Sequence, residues 1–284
     1  MKTPSNWPFD AAGKVSSAAD RPAFPVRLNP DKGNPFATKL IAAAAHATSA
    51  AGQNDLKKEF QSRASDGLGL DWAVRARMVR RLAELGVLDQ PVLAAMRLVQ
   101  RHHFVDTALA NMAYEDTSLP IGLGQTISKP SVVARMLELL QQGVHDASGK
   151  LGRVLEIGTG CGYQAAVLSH LATEVYSMER LRGLHDKARE NLRTLRLPNV
   201  HLLFGDGMNG FAKGAPYAAI IAAAGGEAIP QAWIDQLAVG GRLVAPLQDA
   251  NGVQSLVVID KTPQGIKQAL LEAVHFVPLK SGTS

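Results

Sequence analysis

Cysteine is almost missing: Cys161 is the only one in 284 residues. An internal disulfide framework is thereby excluded, and no Cys/His cluster has the spacing of a zinc site. A reducing compartment, the cytoplasm, is the expectation. Aromatic residues make up 5% of the chain, and no Lys/Arg stripe is interleaved with them, so a nucleic-acid surface is not expected. The net charge of +5 is also local, since residues 1–66 hold 9 Lys/Arg against 6 Asp/Glu and the remainder 21 against 19. Long apolar runs are absent as well. Residues 40–51 are Ala-rich, too short for a bilayer and broken by His46, Thr48 and Ser49. The first 30 residues lack the apolar core of a secretory leader. Neither a membrane partner nor export is expected.

What is present is ordinary globular composition, 46% hydrophobic and 19% charged. Pro4, Pro8, Pro22, Pro25, Pro30 and Pro35 punctuate a stretch with little apolar periodicity, so residues 1–66 read as a mostly disordered Pro/Ala-rich extension. The domain proper is expected over 67–284, with a helical covering part over 67–150 and an α/β core over 151–284.

Ala73, Met78, Leu82 and Leu85 fall on one helical face, with Arg75, Arg77, Arg80 and Arg81 on the wet side and Gly86 as the stop. Asp89 caps a second helix with Pro91 in its first turn. An irregular stretch through Pro120 and Gly124 leads to Ser128, Pro130 and a third helix bearing Val132, Val133, Met136, Leu137 and Leu140. Beyond Arg153, apolar runs at 154–157, 175–178, 200–204, 219–223 and 243–246 alternate with helical patterns at 163–172, 182–195 and 230–238. Strands apolar on both faces and separated by helices make a doubly wound, mostly parallel, Rossmann-like sheet. Runs at 255–259 and 269–277 without a helix between them predict an antiparallel finish.

The first strand-to-helix turn reads Glu156-Ile157-Gly158-Thr159-Gly160-Cys161-Gly162-Tyr163. Its glycines let a ligand approach the backbone. Glu179 closes the next strand, where a carboxylate takes ribose hydroxyls, and Asp206 closes the third, where one accepts from the amine of adenine. Three such positions at successive strand ends point to an adenosine-type cofactor. The dinucleotide fingerprint is G-x-G-x-x-G, built for a pyrophosphate, whereas this loop is G-x-G-x-G. S-adenosylmethionine has no pyrophosphate, and Glu156 with the loop amides suits its amino-acid zwitterion. A nicotinamide-dependent oxidoreductase is the weaker reading.

From about His103 to Leu279 the chain resembles the protein-L-isoaspartate O-methyltransferases. The segments that carry the resemblance include Ala113-Tyr114-Glu115-Asp116-Thr117, Leu119-Pro120-Ile121-Gly122 and Gly124-Gln125-Thr126-Ile127-Ser128. Others are Gly162-Tyr163-Gln164, Gly205-Asp206-Gly207, Gly240-Gly241-Arg242-Leu243-Val244 and Phe276-Val277-Pro278-Leu279. The glycine loop is common to many methyltransferases; Gly-Gln-Thr-Ile-Ser is specific to this family. The resemblance implies methyl transfer from S-adenosylmethionine, leaving S-adenosylhomocysteine, to the free carboxylate of isoaspartyl residues in damaged proteins, the first step of their repair. It implies Ser128 as the catalytic position. Around the cofactor it implies Ile127, Glu156, Gly158, Thr159, Gly160, Gly162, Tyr163, Gln164, Glu179, Arg180, Asp206 and Gly207. Around the substrate it implies Thr126, Ser128, Val277 and Pro278, with no metal. The partners are isoaspartyl peptides and proteins, and the chain is expected to act as a monomer.

A carboxylate is already ionised at neutral pH, so the reaction needs no general base, only alignment and exclusion of water. Ser128 also reads as an N-cap, and the two roles are compatible, because amides at a helix start attract an anion. Cys161 reads as a small buried residue, and the adjacent His102 and His103 as ordinary histidines. One departure stands out. Where the family has Asp and Thr around the fourth strand, this chain has Ala218 and Ala223. A diverged paralogue with another methyl acceptor therefore stays open, as does a non-catalytic module that binds S-adenosylmethionine or damaged peptides. A nucleic-acid amino-methyltransferase fits less well, since Ala224-Gly225-Gly226-Glu227 offers no Pro-Pro-aromatic turn for a flipped base.

Overall fold

The computed structural model describes residues 68–143 and 148–284; the extension expected over 1–66 lies outside the described residues. A helical layer comes first. α1 (Leu68–Glu84) buries Met78 and Leu82, one above the other at i, i+4, and stops before Gly86, whose φ of 101° is left-handed. Two positions depart from the sequence pattern: Ala73 is exposed and Arg75 is buried. Arg75 Nη1 donates to the carbonyl of Leu98 at 3.3 Å, so its long stem packs α1 onto α2 (Gln90–Leu98) instead of reaching water. The start of α2 follows its sequence signal, with Asp89 Oδ1 accepting the Val92 N–H at 2.9 Å.

Residues 119–127, expected to be irregular, form an antiparallel hairpin of β1 (Leu119–Gly122) and β2 (Gln125–Ile127). Strands of four and three residues are too short for a period to show in the sequence. At the tip, Gly122, Leu123 and Gly124 all have positive φ, at 97°, 53° and 70°. A leucine held there costs about 1 kcal/mol, a strain the neighbouring glycines do not share. α3 (Pro130–Gln141) follows and buries Val133, Met136, Leu137 and Leu140.

The remainder is one seven-stranded sheet in the order β5-β4-β3-β6-β7-β8-β9. It comprises β3 (Leu151–Ile157), β4 (Ala172–Glu179), β5 (Val200–Phe204), β6 (Tyr217–Ala222), β7 (Leu237–Gln248), β8 (Gln254–Thr262) and β9 (Gly265–Val274). The pairs up to β6–β7 are parallel; β7–β8 and β8–β9 are antiparallel. α4 (Tyr163–Leu171), α5 (Arg182–Arg193) and α6 (Gln231–Gln236) connect the parallel strands. α5 turns Leu184, Ala188 and Leu192 inward at i, i+4, i+8; burying the two leucines contributes about 1.5–3 kcal/mol each.

Two element ends differ from the sequence reading. The helix expected over 230–238 closes at Gln236, because Leu237 already pairs with Tyr217 at the start of β7. The strand expected over 269–277 ends at Val274. The Gln254 side chain grips the Phe276 backbone, accepting its N–H at 2.6 Å and donating to its carbonyl at 3.2 Å, and this turns the chain out of the sheet toward Gly225.

From β3 the chain moves outward to β4 and β5, then returns to the other side of β3 with β6. The order reverses between β3 and β6, and the crevice beyond their carboxyl ends is where such sheets bind ligands.

Candidate active site

A cavity of about 580 Å³ opens at that crevice. Its floor is the turn after β3. Glu179, at the end of β4 and only 5% exposed, shapes this floor with its carboxylate. Oε2 accepts the Gly160 N–H at 2.9 Å, and Oε1 accepts the N–H groups of Arg180 and Leu181, each at 2.9 Å. Three amides thus fix one carboxylate at the cavity wall, where about one acceptor site, on Oε2, is left to spare. Gly160 has φ of 57°, and a Cβ there would stand 3.2 Å from Ile121 Cδ1, so the loop passes beneath the hairpin only as glycine.

The structure gathers most of the residues singled out from the sequence. Gly158, Thr159, Gly160, Tyr163 and Gln164 line the cavity, as do Glu179, Arg180 and Gly207. Thr126, Ile127 and Ser128 close it from the hairpin side, and Val277 and Pro278 from the chain end. Gln164, buried in the wall, directs its side-chain amide to the Glu156 carboxyl.

Three expected cofactor residues are absent from the wall. Gly162 lies behind it as the left-handed N-cap of α4, with Leu192 against its α-carbon. Asp206 stands at the edge, held by two main-chain donors: Oδ1 accepts the Met208 N–H at 2.9 Å and Oδ2 the Gly282 N–H at 2.7 Å. Glu156 is the clearest correction. It is fully buried, and burial pushes its carboxyl up to about 8, with hydrogen bonds from Ser177 and Gln164 pulling the other way. At neutral pH it is a neutral acid under the floor and does not face a zwitterion. It reaches the cavity only through a relay in which Ser177 Oγ donates to Glu156 and shares a 2.6 Å hydrogen bond with Thr159 Oγ1.

Ser128 is half-buried in the wall, and among the described residues no hydrogen bond engages its hydroxyl. Lys129, not Ser128, is the N-cap of α3, and no side chain of the cap residue bonds the helix. The capping acid is Asp116, whose Oδ1 accepts the Ser131 N–H at 2.8 Å. Pro130 has no N–H, and Val132 and Val133 donate to the Lys129 carbonyl, so the helix start offers a substrate carboxylate none of the free amides expected of it. The buried Arg101 lies 4.9 Å over the Tyr163 ring and donates to the Ala113 carbonyl at 2.8 Å and to that of Thr117 at 3.5 Å, tying down the main chain on either side of Asp116.

On the opposite side the backbone of 277–279 pairs with Gly225, whose N–H donates to Val277 at 2.9 Å and whose carbonyl accepts from Leu279 at 2.7 Å. Of the two alanine departures, Ala223 lines the cavity and Ala218 does not. Cys161 is buried and its thiol pushed up by burial, in keeping with a packing residue. His102 Nδ1 lies 2.7 Å from the Tyr114 hydroxyl. Among the described residues no cluster of three His, Cys, Asp or Glu side chains could hold a metal. Sequence reasoning missed Ile121, Leu123, Leu181, Leu184, Lys280 and Ser284 in the wall. The Gly122-Leu123-Gly124 turn was a readable hairpin signal; the others carry none.

The family model for protein-L-isoaspartate(D-aspartate) O-methyltransferase matches residues 73–284. The chain belongs to this family. A protein-L-isoaspartate O-methyltransferase of Methylibium petroleiphilum is 58% identical over 274 residues, spanning 94% of this chain and 99% of the relative. One from Leptothrix cholodnii is 63% identical over 221 residues, 77% of each. Among solved structures, a protein-L-isoaspartate O-methyltransferase superposes with a TM-score of 0.66 at 27% identity, over 73% of this chain and 66% of that one. A Plasmodium falciparum protein, putatively of the same kind and in complex with S-adenosylhomocysteine, shares the fold with a TM-score of 0.62 at 24% identity, over 72% and 98%.

Proposed function

We infer that this protein is an S-adenosylmethionine-dependent protein carboxyl O-methyltransferase that methylates the free carboxylate of isoaspartyl residues. The observation that carries this reading is one cavity with two unlike walls. One is the Gly158–Gly160 turn clasped by Glu179; the other is the Thr126–Ser128 segment facing the backbone of Val277 and Pro278. When bound, S-adenosylmethionine supplies a sulfonium methyl to an oxygen that is already anionic, so the site is required to orient and to exclude water. It holds no base constellation that this chemistry would leave unused.

In this reading Glu179 receives a ribose hydroxyl at the acceptor site its amides leave open. Gly158 and Gly160 let the amino-acid end approach the main chain closely, Gly207 marks the adenine end, and Ile127, Tyr163 and Gln164 supply wall surface. Ser128 donates its unengaged hydroxyl to the substrate carboxylate, beside Thr126, and Val277 and Pro278 present main chain to the peptide. Ala223 and Ala224 make the wall between the two ends apolar. The proposal includes a monomer acting in the cytoplasm, without nucleic-acid or membrane partners; among the described residues no helix is long and apolar enough to cross a membrane. The test is transfer of labelled methyl from S-adenosylmethionine to a peptide with one isoaspartyl residue and to its aspartyl twin. Labelling of the first alone is expected. Equal labelling, or none with cofactor bound, overturns the reading.

A further inference from the structure

We propose that residues 281–284 act as a clamp across the adenosine end of the cofactor site, holding the Arg180 and Asp206 side chains in place. The inference rests on the cofactor reading above and goes beyond it by assigning work to a segment outside every motif. β4 and β5 are neighbours, and their carboxyl ends carry Glu179 and, just after β5, Asp206. The last residues cross from one to the other.

Four hydrogen bonds fasten them. The Ser284 N–H donates to the Arg180 carbonyl at 3.0 Å, and the Arg182 N–H donates to a main-chain oxygen of Ser284 at 2.7 Å, a short strand-like pair along the start of α5. The Gly282 N–H donates to Asp206 Oδ2 at 2.7 Å, and Arg180 Nε donates to the Gly282 oxygen at 2.8 Å. With Met208 on its other oxygen, the Asp206 carboxylate is fixed from both sides, as Glu179 is fixed by its three amides. A carboxylate offers about four acceptor sites, so two remain for a ligand amine.

The segment is exposed along its whole length and buries no core side chain, so these bonds do not serve the fold. Lys280 and Ser284 stand in the cavity wall beside Arg180; the tail borders the space and leaves it open. Gly282 sits at φ of 77°, the left-handed bend that lets one residue face Asp206 with its N–H and Arg180 with its carbonyl.

Two variants test the clamp: deletion of residues 281–284, and Gly282→Pro, which keeps every other residue but removes the N–H and forbids the positive φ. Binding of S-adenosylmethionine is measured by calorimetry and by dissociation rate, together with isoaspartyl-peptide kinetics and the melting temperature of the ligand-free chain. Both variants should bind S-adenosylmethionine about tenfold more weakly through faster release. KM for S-adenosylmethionine should rise while kcat and the peptide KM at saturating cofactor, and the ligand-free melting temperature, hold. Unchanged affinity in both variants overturns the clamp, and so does tighter binding, which would make the segment a plug. If the intact chain itself fails to bind S-adenosylmethionine, the proposed function falls and the clamp with it; if the intact chain binds and methylates but the variants match it, only the clamp falls.

Discussion

Asp116 Oδ1 accepts the backbone N–H of Ser131 at 2.8 Å, so the helix that begins just after Ser128 is capped by a residue fifteen positions away from its own second turn-forming residue. This single bond separates two roles that one serine had combined in the sequence. The hydroxyl of Ser128 is left to the cavity, and the stability of the helix start rests on Asp116.

The pair of variants Ser128→Ala and Asp116→Ala should therefore behave oppositely. Ser128→Ala should lower isoaspartyl-peptide methylation, leaving S-adenosylmethionine affinity and melting temperature close to those of the parent. Asp116→Ala should cost about 0.5–2 kcal/mol of stability, the usual loss for a helix cap. Denaturant unfolding combined with peptide kinetics checks both, and full turnover in Ser128→Ala would remove it from the reaction.

Glu179→Ala should weaken S-adenosylmethionine binding by roughly 10- to 150-fold, the range for losing a hydrogen bond to a charged group of about 1.5–3 kcal/mol. Glu179→Gln should fall between the two, because its single carbonyl can replace only part of the three-amide clasp on Gly160, Arg180 and Leu181. Calorimetric affinities in the order parent, Gln, Ala are expected; binding indifferent to Ala would show that the carboxylate shapes the loop without meeting the ribose.

Glu156 gives the pH dependence a sign. Its ordinary carboxyl value is 4.5 and burial raises it to about 8, so across that interval the folded chain holds a proton that the unfolded chain has released. Its contribution is fully present below about 4.5 and is lost as pH rises through about 8. The melting temperature should fall on going from pH 6 to pH 9. Glu156→Gln, which cannot ionise, should flatten that slope; an unchanged slope would place its cause elsewhere.

Gly207→Ala should damage the adenine end sterically. A Cβ there would lie 2.6 Å from Ile157 Cγ2, and relieving such overpacking costs about 1–3 kcal/mol. A lower melting temperature and weaker cofactor binding are expected together, and a variant as stable as the parent would show that Ile157 has room to move.

Removal of residues 1–66 should leave cofactor affinity and melting temperature unchanged. The six prolines and weak periodicity of that stretch motivate the expectation, and the family match begins only at residue 73. A large drop in melting temperature on truncation would show that the segment packs on the domain.

The sequence by itself determined the sheet's character, because strands covered on both faces must be apolar throughout and helices between them must show a 3.6-residue period. It also determined the glycine turn and the acid at the end of β4, since close backbone approach and a carboxylate at a strand end are local requirements. It left the hairpin over 119–127 unread, three or four residues being too few for alternation to register. Tertiary structure alone decided which carboxyls face the ligand space. Glu156, Glu179 and Asp206 are equivalent acids at strand ends in the sequence, but Glu156 is buried and neutral beneath the floor, Glu179 is pinned at the wall by three amides, and Asp206 is tied to Gly282. Burial and partners drawn from distant segments set those fates. Whether a carboxyl keeps its charge and which way it points depend on the desolvation and hydrogen bonds that only the folded chain assembles.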